Sequence, residues 1–209
     1  MSRVSGTISW RDRSLLNQNR QDLSRQEMVP LGTLYLVATP IGNLGDITFR
    51  AVEVLKAVNF VICEDSRRSG MLLKHLEIKK PLETYHEHSP KSKEDHVIQR
   101  LSAGECAALI TDAGTPLISD PGFSIVRKAI SSGIRVESIP GATAFVNALI
   151  ISGLPAHAFM FVGYLPQKEK ARQEALRKLV SEEQTLIFYE SPHRLLKTLK
   201  DMLEILGHR

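Results

Sequence analysis

Three segments of the chain combine glycine, proline and small polar residues in a way that suits the binding of a small ligand. They cover residues 39–48, 111–122 and 139–144, and each follows a short apolar run and precedes a helical pattern. Glycine lets a backbone approach a ligand closely, and proline keeps the loop rigid by fixing φ. None contains a dinucleotide or phosphate-loop glycine motif. Each loop alone is also compatible with a tight structural turn, but together they favour a binding site at strand ends.

The second loop, residues 111–122, holds two aspartates, two prolines and two glycines. Asp112 and Asp120 supply oxygen acceptors suited to hydroxyl groups or to a cation. Pro121 fits the first turn of the following helix, so Asp120 is predicted to cap that helix. A plain connection does not need so many constrained residues, and their density favours a functional loop.

Charged and histidine side chains are concentrated in three other segments, at residues 63–68, 85–89 and 189–194, of which the first and the last lie at the ends of apolar runs. His86-Glu87-His88 could supply two metal ligands, with Glu64 or Asp65 as a third. No second histidine or cysteine pair has metal-ligand spacing, so no metal is predicted. A serine hydrolase is disfavoured because the Gly-x-Ser-x-Gly turn is missing.

The elements that must position these segments are short apolar runs alternating with helical patterns. The runs cover residues 34–38, 60–63, 107–110, 134–139, 159–165 and 185–190. This alternation predicts an α/β fold with a largely parallel sheet. We expect a mobile arm at residues 1–30, an N-terminal α/β domain at 31–152 and a partial C-terminal α/β domain at 153–209. The last is thin and is expected to be incomplete here or completed by a partner.

Composition excludes several classes of protein. The 209 residues are 43% hydrophobic and 24% charged, which argues against wholesale disorder and a coiled coil. No apolar run reaches the roughly 18 residues of a membrane helix, and no secretory leader is evident. Cys63 and Cys106 lie in apolar runs and predict buried thiols in a reduced cytoplasm. The net charge of +4 permits an RNA partner without requiring one.

Six segments also carry a resemblance to a known family over about residues 32–209. They are LYLVATPIGNLGDIT, FVICEDSRRS, YHEHS, LITDAGTPLISDPG, IPGATA and FYESPHR, in that order. They resemble the bacterial 2′-O-ribose methyltransferases of small-subunit (16S) ribosomal RNA, which use S-adenosylmethionine and belong to the tetrapyrrole-methylase superfamily. The chain differs at Ser66, Ser89 and His208, where Thr, Asn and Asp are usual. Family members also continue past the equivalent of residue 209.

The resemblance implies two α/β domains with the methyl donor in the cleft between them, and a homodimer. The acceptor it implies is a cytidine ribose in the 16S rRNA of the small ribosomal subunit. The donor-binding residues that it implies are Pro40, Ile41, Gly42, Asp112, Gly114, Thr115, Pro116, Ile118, Thr143, Ala144, Tyr164 and Leu165.

A ribose hydroxyl is a poor nucleophile, so a nearby base or acceptor should assist the transfer. The candidate catalytic residues are Glu64, Asp65, Arg67, His86 and Glu87. The candidate phosphate contacts are Arg67, Arg68, His193 and Arg194. An ion-pair network that only shapes the cleft is an open alternative for the cluster at residues 64–68.

Two other functions compete with this interpretation. A tetrapyrrole methyltransferase usually has Gly-x-Gly-Pro-Gly in the first loop and Gly-Gly-Asp-Pro in the second, whereas this chain has Ala-Thr-Pro-Ile-Gly and Asp-Ala-Gly-Thr-Pro. A non-catalytic RNA-binding protein is the alternative from another class, and titration with S-adenosylmethionine would distinguish it.

Overall fold

The computed structural model describes residues 32–86 and 89–208. In these ranges strands and α-helices alternate without exception, which confirms the predicted α/β class. The elements are β1 Thr33–Val37, α1 Phe49–Ala57, β2 Phe60–Cys63, α2 Ser66–His75, β3 Leu82–Thr84, α3 Lys91–Ser102, β4 Ala107–Leu109, α4 Phe123–Ser131, β5 Arg135–Ile139, α5 Ala144–Ile151, β6 Phe159–Tyr164, α6 Glu169–Arg177, β7 Thr185–Tyr189 and α7 Leu195–Leu206, with a short 3-10 helix at Leu44–Asp46.

The first sheet has five parallel strands in the order β3-β2-β4-β1-β5. β1 lies between β4 and β5, with Leu34 opposite Ala107 on one side and Val136 on the other. Strands buried on both faces read as continuous apolar runs, which is why β1, β2 and β4 were predictable from sequence. β3 was not predicted, because it has only three residues, Leu-Glu-Thr, and lies at an edge.

Helices cover both faces of this sheet, and each face has its own hydrophobic cluster. Val61 points to one face, where it packs in the cluster that includes Leu55 of α1. Ile62 points to the other face, in the cluster of Leu101 from α3 and Ile125 from α4. Successive strand residues alternate between faces, so one strand contributes to both clusters. This two-sided core holds the carboxyl ends of the strands in fixed positions.

The second sheet consists of β6 and β7, which are parallel neighbours. α6 and α7 pack together through an ion pair between Arg172 and Asp201, whose side chains are only 4% and 9% exposed. Gln173 also donates to Asp201 at 3.0 Å. The hydrogen bond from Gln173, with the Arg172 guanidinium, lowers the pKa of the Asp201 carboxyl despite its burial. Both carboxylate oxygens of Asp201 therefore have donors.

α5 connects the two sheets. It follows β5 of the first sheet, yet the Phe145 ring stacks on Phe161 of β6 with centroids 4.7 Å apart. The Phe145 N–H also donates to the Tyr189 hydroxyl of β7 at 3.3 Å. The boundary expected at residues 152 and 153 stays a prediction, and the arm expected at residues 1–30 lies outside the described residues.

No helix within the described ranges combines the length and the apolar character needed to cross a membrane.

Cys63 and Cys106 are both buried, and burial raises the pKa of the Cys63 thiol.

Candidate active site

The first and second loops are held together at the carboxyl end of the first sheet. They follow β1 and β4, which are neighbours in that sheet. The Thr39 N–H donates to the Gly114 carbonyl at 2.9 Å, and the Gly114 N–H donates back to the Thr39 carbonyl at 3.0 Å. The Thr39 hydroxyl donates to the Thr111 carbonyl at 3.1 Å. Loop 39–48 is therefore fixed against loop 111–122 by backbone and side chain.

The third loop joins the second in the same way. The hydroxyl oxygens of Thr115 and Thr143 lie 2.7 Å apart, and Thr115 also donates to the Ala142 carbonyl at 3.2 Å. A Cβ at Gly141 would lie 2.8 Å from the Ala38 Cβ, a distance that side chains do not tolerate. Glycine at 141 lets the third loop approach the end of β1.

The three loops and the second sheet enclose a cavity of about 380 Å³. This lies within the range of about 300–1,000 Å³ typical of small-molecule sites. The lining residues are Ile41, Asp112, Ala113, Gly114, Thr115, Ile118, Ser119, Asp120, Thr143, Ala144, Tyr164, Tyr189 and Glu190. Of the residues predicted to bind the donor, Pro40, Gly42, Pro116 and Leu165 belong to the same segments but are outside this lining. The role of all twelve predicted residues in donor binding stays a prediction.

The cavity wall has groups that a polar ligand would satisfy. Asp112 Oδ1 is buried and has no hydrogen-bond partner, while Oδ2 lies 3.3 Å from Arg68 Nη1. A buried acceptor without a donor is costly, so a ligand hydroxyl at this position would be stabilising. Gly114 has φ +91°, and a Cβ there would lie 3.4 Å from Ile41. The residues present therefore fit a small ligand with hydroxyl groups, such as the ribose of a nucleoside.

Asp120 also lines the cavity, but not as the sequence suggested. α4 begins at Phe123 after Gly122, with no side-chain cap, so the predicted capping role of Asp120 is wrong. Within the described residues its carboxylate forms no hydrogen bond or ion pair. Partial burial, followed by the nearby charges of Glu64 and Asp112, raises the pKa of Asp120 to about 6.

The loop that carries Asp120 has an unusual backbone. Leu117 has φ +72° and Ser119 has φ +65°, both in the left-handed region that side chains disfavour. Such positions cost on the order of 1–3 kcal/mol each and persist only where the surroundings enforce them. At Gly163 of β6, which has φ +75°, a Cβ would lie 3.4 Å from the Ser119 hydroxyl oxygen. The second sheet therefore closes directly on this strained loop.

In the charged cluster after β2, Asp65 and Arg67 interact with each other at the start of α2, whereas Glu64 and Arg68 lie near the aspartates of the cavity wall. Asp65 caps α2, since its carboxylate accepts the Arg67 N–H at 2.8 Å, and this hydrogen bond lowers the pKa of Asp65. The side chain of Arg67 is 89% exposed, and that of Arg68 is 65% exposed while it pairs with Asp112. Glu64 is half-buried and adds its charge beside Asp120. The roles predicted for these residues stay predictions.

His86 is not among the residues that line the cavity. His86 is exposed, and its backbone N–H donates to the Ser89 hydroxyl at 2.8 Å. Glu87 and His88 fall outside the described residues. Among residues 32–86 and 89–208, no three His, Cys, Asp or Glu side chains converge as a metal site would require.

The segment after β7 forms a compact polar network. The Glu190 carboxylate accepts from the Thr198 hydroxyl at 2.6 Å, from the Ser191 N–H at 2.7 Å and from Arg194 Nε at 2.9 Å. Burial would raise the pKa of Glu190, but these hydrogen bonds outweigh it and lower the pKa. The predicted phosphate contact Arg194 therefore faces Glu190, whereas His193 is exposed.

Sequence reasoning did not assign Tyr189 and Glu190 to the site, although both line the cavity. The rings of Tyr164 and Tyr189 meet edge to face at 5.6 Å and form part of the wall from the second sheet. The signal that could have found them was their position at the carboxyl end of an apolar run, the same signal that identified the three loops.

Comparison with known proteins relates this site to a family. The model of the tetrapyrrole (corrin/porphyrin) methylases matches residues 33–209. Proteins named ribosomal RNA small subunit methyltransferase I are similar over most of the chain. The one from Halalkalibacterium halodurans is 52% identical over 186 residues, 89% of this chain and 64% of that protein. The one from Haemophilus influenzae is 52% identical and that from Escherichia coli O157:H7 is 48% identical, each over 176 residues, 84% of this chain and 62% of that protein.

The chain thus spans somewhat less than two thirds of the length of these relatives. Among solved structures, a uroporphyrin III C-methyl transferase from Thermus thermophilus matches with a TM-score of 0.57 and 20% identity. That match covers 85% of this chain and 78% of the other. At this identity the likeness concerns the fold.

Proposed function

Because the chain belongs to the family of tetrapyrrole (corrin/porphyrin) methylases, we propose that it binds S-adenosylmethionine in the cavity and methylates small-subunit ribosomal RNA. The observation that carries the proposal is the cavity lined by the three loops and the second sheet. Its wall contains a buried oxygen, Asp112 Oδ1, that has no hydrogen-bond partner. The names of the similar proteins support the RNA acceptor over a tetrapyrrole.

Several groups of this chain are placed to hold the donor. Asp112 Oδ1 would accept a hydrogen bond from a donor hydroxyl, and Gly114 leaves room for the donor against the backbone. Tyr164 and Tyr189 offer apolar ring surface from the opposite wall. When bound, the donor supplies an electrophilic methyl group on a sulfonium sulfur. The protein contributes mainly alignment, which can be worth about 7–11 kcal/mol of the barrier.

The acceptor in this proposal is the 2′-hydroxyl of a cytidine in 16S rRNA. Arg68 pairs with Asp112 of the cavity wall, and the neighbouring Arg67 is 89% exposed. Exposed guanidinium groups suit phosphate contacts that position RNA without reading its sequence. His193 and Arg194 are proposed as further contacts from the second sheet. Glu64, Asp65, His86 and Glu87 are the proposed residues that assist the chemistry. A cytoplasmic homodimer without a metal completes the proposal.

Methylation of isolated small subunits tests this function. Subunits from cells that lack the activity are incubated with the protein and methyl-labelled S-adenosylmethionine, and nucleosides from the digested RNA are analysed by mass spectrometry. We expect the label in 2′-O-methylcytidine, with and without a chelator. A labelled base, or unlabelled RNA together with a labelled porphyrinogen in a parallel reaction, would contradict the proposal. Loss of activity with the chelator would restore the metal hypothesis for His86 and His88.

A further inference from the structure

We propose that Asp120 accepts the proton of the hydroxyl group that receives the methyl, an inference that rests on the proposed function. Among the residues that the structure describes, three carboxylates line the cavity, those of Asp112, Asp120 and Glu190. A residue that takes up a proton during the transfer must face the cavity and must have an oxygen that no protein group already occupies.

Two of these three carboxylates, Glu190 and Asp112, pair with other protein groups. Glu190 accepts from Thr198, Ser191 and Arg194, and its lowered pKa makes it a weaker base than an ordinary glutamate. Asp112 pairs with Arg68 through Oδ2, and its other oxygen, Oδ1, is the one proposed above to accept a hydrogen bond from a donor hydroxyl. Asp65, outside the cavity wall, is engaged as the cap of α2.

Asp120 differs from these carboxylates because no protein group pairs with it among the described residues. It lines the cavity, does not cap α4 and has no hydrogen-bond or ion-pair partner among the described residues. Its loop has left-handed backbone at Leu117 and Ser119, and Ser119 lies close to Gly163 of the second sheet. Strained backbone enforced by its surroundings is typical of functional sites. The fold therefore fixes an acceptor where the second sheet closes the cavity.

The charges around Asp120 favour this role. Glu64 from the end of β2 and Asp112 from the same loop are negative, and the positive Arg68 of α2 pairs with Asp112. Tyr164, Tyr189 and Glu190 face the cavity from the second sheet. Burial and the two negative neighbours raise the pKa of Asp120 to about 6, so the group is ionised at neutral pH and is a stronger base than an ordinary aspartate.

The proposed step is balanced without any other reactant. The hydroxyl oxygen forms a bond to the methyl carbon while the bond from that carbon to the sulfonium sulfur breaks. The electron pair of the broken bond stays on sulfur, which becomes a neutral thioether. The proton of the hydroxyl passes to Asp120 and leaves to solvent after the product departs.

Asp120→Asn tests the proposal, because it keeps the shape of the side chain and removes the basic oxygen. Asp95→Asn is the matched control, since Asp95 is 66% exposed on α3 and pairs with Lys128. Turnover at saturating RNA should fall about 10²–10⁴-fold in Asp120→Asn. The acidic limb of the pH–rate profile should disappear with it. Glu64→Gln should keep that limb and move it to lower pH, because it removes one of the negative neighbours.

A binding measurement gives a readout that does not depend on turnover. Calorimetry compares the affinities for S-adenosylmethionine and for S-adenosylhomocysteine, which lacks the positive charge, at pH 5 and pH 8. In the wild type, the ratio of the affinity for S-adenosylmethionine to that for S-adenosylhomocysteine should be severalfold higher at pH 8 than at pH 5. In Asp120→Asn this ratio should be independent of pH.

The outcomes separate the two claims. If the wild type methylates RNA and Asp120→Asn keeps its rate and acidic limb, the inference is wrong and the proposed function stands. Loss of the limb in Glu64→Gln instead would identify Glu64 as the base and also overturn the inference. If the wild type binds the donor and methylates no RNA, the proposed function fails and the inference fails with it. The inference is also contradicted if the ratio of the two affinities depends on pH in Asp120→Asn as it does in the wild type.

Discussion

Replacing Asp120 by asparagine should stabilise the folded protein at neutral pH, although we expect the same change to reduce turnover. The folded state raises the pKa of Asp120 from 3.8 to about 6. At 1.36 kcal/mol for each pH unit, this difference corresponds to about 3 kcal/mol. The Asp120 side chain is only half-buried, so solvent screens the interaction and we expect a gain of about 1–1.5 kcal/mol in the free energy of unfolding.

The pH dependence of this gain follows from the direction of the shift. Below about pH 4, Asp120 is protonated in the folded and the unfolded chain, so the two proteins should be equally stable. Between about pH 4 and pH 6 the unfolded chain loses this proton first, and the wild type becomes less stable relative to Asp120→Asn. Above about pH 7 the difference should stay constant.

Chemical denaturation of the two proteins between pH 4 and pH 8 measures the difference directly. Carboxylates remote from Asp120 titrate equally in both proteins, so their contributions cancel. Asp95→Asn should show no such stabilisation, because Asp95 pairs with Lys128 at the surface. A difference that does not change with pH, or an Asp120→Asn protein that is less stable at pH 7, would refute the view that Asp120 is an unpaired, half-buried carboxylate.

Three other substitutions test different parts of the molecule. Gly114→Val should abolish donor binding in calorimetry because the side chain fills the cavity, whereas Gly133→Val, also at positive φ but in open space, should keep it. Arg67→Ala should weaken RNA binding and reduce its salt dependence in filter-binding titrations, with donor affinity unchanged; unchanged RNA affinity would show that Arg67 makes no phosphate contact. Arg172→Ala should lower the free energy of unfolding by about 3–5 kcal/mol, because it leaves the buried Asp201 carboxylate without its charge partner; a loss under 1 kcal/mol in denaturant would contradict that estimate.

The sequence predicted the central strands and the meeting of the three loops for one physical reason. A parallel sheet buries both faces of its inner strands, so β1, β2 and β4 are uninterrupted apolar runs, and their carboxyl ends share one edge. β3 was not predicted because an edge strand of three residues does not form an uninterrupted apolar run. Its alternating Leu-Glu-Thr sequence is equally compatible with a loop.

The contribution of the second sheet to the cavity was harder to predict. Ser119 lies close to Gly163, and the Phe145 N–H donates a hydrogen bond to the Tyr189 hydroxyl. In each pair the two residues are 44 positions apart in the chain. Such contacts depend on how the two sheets pack against each other, and the local sequence pattern does not reveal that packing. The misassignment of Asp120 has a local cause, since Gly122, with φ +129°, delays the start of α4 until Phe123. That delay releases the Asp120 carboxylate from the helix and leaves it in the cavity wall.

The most direct test of the central claim is a crystal structure of the protein grown with S-adenosylhomocysteine. We predict that the ligand occupies the cavity of about 380 Å³, with a ribose hydroxyl donating to Asp112 Oδ1 and the ligand lying against Gly114. A ligand bound elsewhere, or none bound at millimolar concentration, would contradict the claim that these loops and the second sheet form the methyl-donor site.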